Sequence, residues 1–267
     1  MNTNVNVALS FGSVIVEPRK HPAFEFVVQN VLSRTPIGSP MVIVHGITNG
    51  PWIRQKLESA LTADDYARLS FQSCGKANLT GKDYNRLLKS ASFWTALPFS
   101  KILVFQTDSI ILSENRDEIV RYFPYAYVGA PWRSGKVGNG GFSLRDKAYC
   151  LEVIRHKKRD PRNVNEDVYF SSFMYNSNSQ HKPTPTSVAQ EFSIETTFHP
   201  NPFAVHNCWK YLSTQQWSKL CQAHPELVQL RQLQTVCSPN RPVVIATRVK
   251  AGGSRRNCRG KVRVRKR

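Results

Sequence analysis

Hydrophobic positions in the first hundred residues follow two alternating periods. The runs Val14-Ile15-Val16, Met41-Val42-Ile43-Val44 and Ile102-Leu103-Val104-Phe105 read as buried strands, with a weaker one at Arg68-Leu69-Ser70-Phe71. Between them the period lengthens to that of a helix. Pro22 stands where a helix begins, and Phe24, Val27, Val28, Val31 and Leu32 share one helical face. Pro51 opens a second helix carrying Trp52, Ile53 and Leu57. Thr80 or Gly81 caps a third, expected to bury Tyr84, Leu87, Leu88 and Ala91. Strands separated by such helices imply right-handed crossovers, so the predicted class is α/β with a Rossmann-like, mainly parallel sheet flanked by helices.

After Ser109 the rhythm loosens. Tyr125-Ala126-Tyr127-Val128 reads as a further strand and Gly138-Asn139-Gly140-Gly141 as a tight loop. A helix through Ala148, Leu151 and Ile154 follows, and Asn165 suits the cap of one starting at Glu166. Residues 175–187, rich in Asn, Ser, Pro and Thr, read as a long loop of the kind that carries function. Helical patterns near 209–220 and 225–233 close the globule, and no internal repeat is present.

The chain has 267 residues, with 40% hydrophobic and 10% aromatic content, which excludes a disordered polymer. No apolar run reaches the roughly 18 residues that span a bilayer. The start, Met1-Asn2-Thr3-Asn4-Val5-Asn6, has no secretion-signal pattern, so a cytoplasmic location is expected. Six scattered cysteines then read as reduced thiols, and the sequon Asn78-Leu79-Thr80 as an accident of composition. The net charge of +19 resembles a nucleic-acid binder until it is mapped. Residues 248–267 hold ten Lys or Arg and no acid, leaving 27 basic residues against 18 acids, or +9, for the rest. The expected division is a domain over 1–247 and a flexible basic tail over 248–267. Such a tail is either a solubilising end or a contact for nucleic acid, anionic lipid or acidic glycan.

Four polar features carry candidate chemistry, each with a plainer reading. Asp108, where the fourth strand ends, can ligate a divalent cation that bridges a diphosphate, or merely cap the next segment. Val137-Gly138-Asn139-Gly140-Gly141-Phe142-Ser143 offers amides that a sugar or phosphate can approach, or only a turn; it is not a P-loop. Asn165-Glu166-Asp167 sets two carboxylates at a helix start, as a general base or as partners of the helix dipole. His206 is a metal or phosphate ligand, or a structural histidine.

In this order, Phe105-Gln106-Thr107-Asp108-Ser109, Tyr127-Val128-Gly129-Ala130-Pro131-Trp132, Gly138-Asn139-Gly140-Gly141-Phe142-Ser143-Leu144-Arg145, Glu166-Asp167-Val168-Tyr169-Phe170 and Pro202-Phe203-Ala204-Val205-His206-Asn207-Cys208-Trp209 resemble a family of glycosyltransferase-like domains. That family is similar to the GT-A nucleotide-sugar transferases, and the resemblance runs from about Val14 to Trp209. It implies that Gln106-Thr107-Asp108 stands at the D-x-D metal motif with Gln106 in place of the first acid, which weakens Mn²⁺ or Mg²⁺ binding. It places Asn139, Gly140 and Gly141 at the donor sugar and Glu166-Asp167 at the x-E-D motif, whose final acid, Asp167, is the base in inverting members. By the same resemblance His206 completes the metal or diphosphate site. Val16, Glu17 and Arg19 would meet the nucleotide base, and Asn85 and Lys89 the ribose or phosphates.

The implied activity is transfer of a sugar from a nucleoside-diphosphate sugar, UDP being the commonest, to a hydroxyl on a glycan, protein or small molecule. A sugar nucleotidyltransferase is a nearby alternative, but its glycine-rich loop would replace Glu17-Pro18-Arg19-Lys20-His21-Pro22 after the first strand. A second alternative is a degenerate transferase fold that binds nucleic acid or a virion component through the basic tail.

Overall fold

The computed structural model describes residues 11–157, 164–176 and 179–235. The expected tail at 248–267, the amino-terminal six residues, Cys237 and Cys258 lie outside these. Among the described residues nine strands occur: β1 (Phe11–Glu17), β2 (Met41–His45), β3 (Leu69–Ser73), β4 (Lys101–Phe105), β5 (Ser109–Ile111), β6 (Tyr127–Gly129), β7 (Phe142–Asp146), β8 (Ser193–Ile194) and β9 (Ala204–His206). The helices, in chain order, are α1 (Phe24–Ser33), α2 (Gly50–Ala60), α3 (Ala63–Ala67), α4 (Gly81–Leu88), α5 (Ala91–Ala96), α6 (Lys147–His156), α7 (Glu166–Met174), α8 (Thr186–Phe192), α9 (Thr214–Ala223) and α10 (Glu226–Thr235).

Six strands form the central sheet in the order β3-β2-β1-β4-β7-β6. β1 pairs in parallel with β2 and β4, and β2 with β3, whereas β7 runs antiparallel to both β4 and β6. The sheet is thus mainly parallel and flanked by helices. Strand period divides its side chains between two apolar layers. Ile15, Ile43, Leu103, Phe105 and Leu144 face α1, α2, α8, α9 and α10; Val14, Val42, Ile102 and Val104 face α5, α6 and α7. Phe24, Val27, Val28, Val31 and Leu32 are all buried, as their spacing predicts, and burying each such side chain contributes about 1.5–3 kcal/mol.

Thr80 caps α4 with a full capping box: its hydroxyl accepts from the Asp83 amide, and the Asp83 carboxylate accepts from Thr80 N–H. The expected third helix is two, because Ser90 caps a new helix at Ala91, and Ala91 is exposed rather than buried. The buried face of α6 is Tyr149, Cys150 and Val153, one position away from the expected Ala148, Leu151 and Ile154. Tyr149 and Cys150 face the layer that α7 covers, and contacts across the fold outweigh the local period.

A second sheet, β5-β9-β8, was not anticipated. Its strands have two or three residues, too short for a period to register. This small sheet carries His206, with Asp108 just before β5 and Glu195 just after β8. Among the described residues no helix is long and apolar enough to cross a membrane, and Cys74, Cys150, Cys208 and Cys221 are free thiols. Burial raises the Cys208 thiol to about 12, which keeps it protonated.

Candidate functional site

The strand order reverses between β1 and β4, whose carboxyl ends lie side by side, and open α/β sheets bind ligands at such a switch point. Glu17 ends β1 and Gln106-Thr107-Asp108 follows β4. Beside them opens a cavity of about 510 Å³, lined by α4, the glycine loop, the start of α7 and the small sheet. Gln106, Asn139, Gly140, Gly141, Glu166, Asp167 and His206 all line it, as does Asn85.

His206 reaches Asp108 through strand pairing. β5 and β9 run antiparallel with Ser109 opposite His206, and the Asn207 amide donates to the Asp108 carbonyl at 2.8 Å. The imidazole Nε2 then lies 3.3 Å from Asp108 Oδ1. Its Nδ1 donates to Asn139 Oδ1 at 2.9 Å and lies 3.4 Å from Glu195 Oε1, while Asn139 Nδ2 donates to Glu195 Oε2 at 2.9 Å. Parallel pairing of β8 with β9 brings Glu195 there. Burial opposes the charge on His206, but Asp108 first, then Glu195 and Asp167, outweigh it and raise its pKa above the ordinary imidazole value. For Asp108, burial pushes upward and the His206 imidazolium outweighs that, holding the carboxyl below its usual range.

The glycines serve close packing. A Cβ on Gly141 would overlap the His206 ring, and one on Gly140 would strike the Glu166 carboxylate. Beneath them Arg145 is fully buried and grips Glu166 at 2.6 and 3.1 Å, one nitrogen to each oxygen. Its guanidinium also lies over Tyr127, Phe170 and Trp94, at 4.7, 5.5 and 5.7 Å from the ring centres.

Asp167 has a different environment from its neighbour. Its carboxylate accepts from the Val168 amide at 2.7 Å. Burial first, and the adjacent Glu166 second, push its pKa above the ordinary carboxylate value, against the Val168 amide and Arg145. Asn165 precedes α7 without capping it by side chain; Asn85 Oδ1, from α4, accepts from the Glu166 amide at 2.8 Å instead. Asn85 therefore fixes the helix start that aims Asp167.

The remaining expected residues, Val16, Glu17, Arg19 and Lys89, are not among those that line the cavity. Glu17 is buried and its carboxylate takes Arg19 at 2.7 and 2.8 Å, with the Thr107 hydroxyl 3.5 Å away. Val16 is buried in the sheet. The Lys89 ammonium donates to the Val164 carbonyl at 2.8 Å and lies over the Tyr169 ring, away from the residues that line the cavity. Gln106 Nε2 donates to the Tyr84 hydroxyl at 3.2 Å.

Sequence reasoning missed Glu195, Arg145 as a partner of Glu166, and Trp132 on the cavity wall. Arg145 left a signal, being a lone cation on the inward face of an apolar strand that must find an acid. Glu195 left none, since its place depends on a two-residue strand.

The Asp108 and His206 atoms suit a divalent cation as two of its ligands. Adjacent ligands on an octahedral ion at about 2.1 Å stand about 3 Å apart, close to the 3.3 Å seen. The Nδ1 hydrogen bond to Asn139 leaves Nε2 facing Asp108, and such a bond is the usual outer support of a metal-binding histidine, which gives up its Nε2 proton to the ion. Among the described residues no group of three His, Cys, Asp or Glu side chains has metal-holding geometry, so further ligands would come from water or a ligand's oxygens.

A family model described as a protein of unknown function, DUF5672, matches residues 68–206, about half of the chain. The chain belongs to that family. The match runs from β3 to β9, so it takes in Asp108, the glycine loop, Glu166-Asp167 and His206 but not β1 or β2. A comparison with curated proteins finds no match. Solved structures similar to this chain include a mannosyltransferase from Pyrobaculum calidifontis in complex with GDP-Man and Mn²⁺. It shares 11% identity at a TM-score of 0.48, over 87% of this chain and 65% of that one. The apo-form glycosyltransferase GlyE of Streptococcus pneumoniae TIGR4 shares 13% at 0.46, over 85% and 64%. A 4-diphosphocytidyl-2C-methyl-D-erythritol synthase from Anaerococcus prevotii DSM 20548 shares 11% at 0.43, over 67% and 88%. The chain thus spans a little under two thirds of both glycosyltransferase structures.

Proposed function

We propose that this chain is a GT-A-type glycosyltransferase that moves a sugar from a nucleoside-diphosphate sugar, with UDP the first nucleotide to test, to a hydroxyl acceptor. One observation carries the reading. A glycine loop, a desolvated carboxylate at a helix start and a histidine paired with the strand-end acid Asp108 converge on one cavity at the sheet's switch point. Transfer needs two opposite stabilisations, because positive charge grows at the anomeric carbon while negative charge grows on the departing diphosphate. Asp167 is the proposed base that accepts the acceptor hydroxyl's proton, giving inversion. Its raised pKa lies nearer to working pH, which strengthens it as a proton acceptor, and Glu166, held at both oxygens by Arg145, supports it as a fixed structural charge. Asp108 and His206 would hold a Mn²⁺ or Mg²⁺, which would supply positive charge to the leaving diphosphate. Glu17, Arg19 and Thr107, beside Asp108, are the proposed nucleotide side of the site.

The division at 1–247 and a polyanion contact by residues 248–267 belong to the same proposal. Deleting that segment is expected to leave donor turnover in place and to remove salt-sensitive association; loss of turnover would tie the segment to the enzyme. A thermal-shift screen over nucleoside diphosphates and their sugars, with and without Mn²⁺, tests the core of it. At least one nucleotide sugar should raise the unfolding temperature, more so with metal. No response to any nucleotide would contradict the reading.

A further inference from the structure

The chain has five tryptophans. Trp52 packs against Phe24, Trp94 against Phe93 and Phe170, and Trp209 against Trp217. Trp132 has no ring or hydrogen-bond partner for its side chain among the described residues, and it is only half-buried, on the wall of the 510 Å³ cavity. Indoles of soluble proteins usually bury their faces and satisfy their N–H.

The backbone that carries this ring is fixed from several sides. Trp132 N–H donates to the Lys136 carbonyl at 2.8 Å and Gly135 N–H to the Trp132 carbonyl at 2.9 Å, with Gly135 at φ 80° closing the turn. The Thr196 hydroxyl donates to the Pro131 carbonyl at 3.3 Å, the Thr186 hydroxyl to Gly135 at 3.1 Å, and Val137 N–H to the Tyr175 hydroxyl at 2.9 Å. Thr196 directly follows Glu195, so the ring's loop is tied to the segment that supports His206. A loop held in this way presents an unpartnered aromatic ring on a backbone that a ligand need not order further.

The rest of that wall has a particular chemistry. Asp167 and Glu195 set carboxylates on the cavity wall, and Asn139, whose side-chain oxygen already accepts from His206 and Gly141, lines it beside them. A flat aromatic face beside several hydroxyl acceptors matches a pyranose, whose one face is C–H rich and faintly positive against the negative face of the indole, while its edge carries hydroxyls. A serine or threonine hydroxyl on a peptide has no such face. Asp167 and Trp132 line the same cavity, so a ring stacked on Trp132 would share it with the proposed base.

We infer that Trp132 is the platform for the acceptor and that the acceptor is a carbohydrate, its pyranose ring stacked on the indole with a hydroxyl offered to Asp167. This rests on the glycosyltransferase reading and narrows its acceptor class. The test labels the full chain with fluorotryptophan, assigns the signals by single Trp→Phe variants, and titrates by fluorine NMR. The probes are methyl β-D-galactopyranoside, methyl β-D-glucopyranoside, methyl α-D-mannopyranoside, a threonine-containing peptide and a panel of nucleotide sugars. At least one methyl glycoside should shift the Trp132 signal saturably while the other four stay in place, and in Trp132→Ala the half-saturation of that glycoside, read on its own proton signals by saturation-transfer NMR, should rise about tenfold. The inference is overturned if the peptide or a nucleotide sugar moves that signal and no glycoside does, or if nothing moves it. Glycoside binding at Trp132 in a chain that no nucleotide stabilises would keep the carbohydrate site and remove the transferase.

Discussion

Glu166 and Asp167 are adjacent in the chain, carry the same charge and open the same helix, yet their surroundings divide them. Glu166 is buried against Arg145, whose guanidinium lies over three aromatic rings, and both its oxygens are bound. Asp167 turns to the cavity with its pKa raised by burial and by that same neighbour. A structural charge is one whose partner is built in, whereas a chemical one is left for its partner to arrive. The pair also shows why Arg145 matters to both: burial opposes its charge, Glu166 restores it, and its positive field tempers the rise at Asp167.

The largest effect should come from breaking the closed member. Arg145→Met strands a buried carboxylate, and the expected loss is about 3–5 kcal/mol in urea unfolding. The double change Arg145→Met with Glu166→Leu should recover part of it; a double variant as damaged as the sum of the singles would mean that the two charges do not act as a pair.

Breaking the open member should leave the fold and remove the chemistry. Asp167→Asn is expected to cut transfer by about 10²-fold or more. The stability sign also separates the two residues. A carboxyl whose folded pKa is raised favours folding only while protonated, at pH below its unfolded value, and that contribution is lost as pH rises through the folded pKa. Asp167→Asn should therefore match or exceed the parent's unfolding temperature at pH 7, the gain fading in acid. A loss of stability at pH 7 would show that the carboxylate holds the fold. For the parent, the acidic limb of the rate should sit above the ordinary carboxylate range.

A smaller effect is expected where support is indirect. Glu195→Gln keeps the shape but weakens the hold on His206 and Asn139, and outer-support losses of this kind run to about 10–100-fold in metal affinity or rate. Manganese titration of nucleotide affinity reads it, and unchanged affinity and rate would reduce Glu195 to a surface of the cavity. Least of all, Thr80→Ala removes the α4 cap, costing about 1 kcal/mol in unfolding with transfer unchanged.

The legibility of the sequence follows the same division. β1, β2, β4 and α1 were legible because their side chains meet a continuous apolar layer, which writes a clean period into the chain. Asp108, the glycine loop, Glu166-Asp167 and His206 were legible as unusual polar residues at the ends of such elements. Their grouping was implied by the family resemblance alone, because periodicity cannot show it: it depends on β5, β8 and β9, which are too short to show a period, and on registers that set Ser109 beside His206. The buried face of α6 and the split between α4 and α5 were set by tertiary packing and a serine cap. Trp132 entered only as the last residue of one motif, because only a three-dimensional neighbourhood reveals that its ring has no partner among the described residues.

Asp167→Asn, followed by donor binding and single-turnover transfer in parallel, tests the central claim most directly. Donor affinity should stay within about twofold while transfer falls by about 10²-fold or more, as for a group that acts on the acceptor's proton alone. Equal loss of affinity and rate, or a rate that survives, would contradict Asp167 as the base.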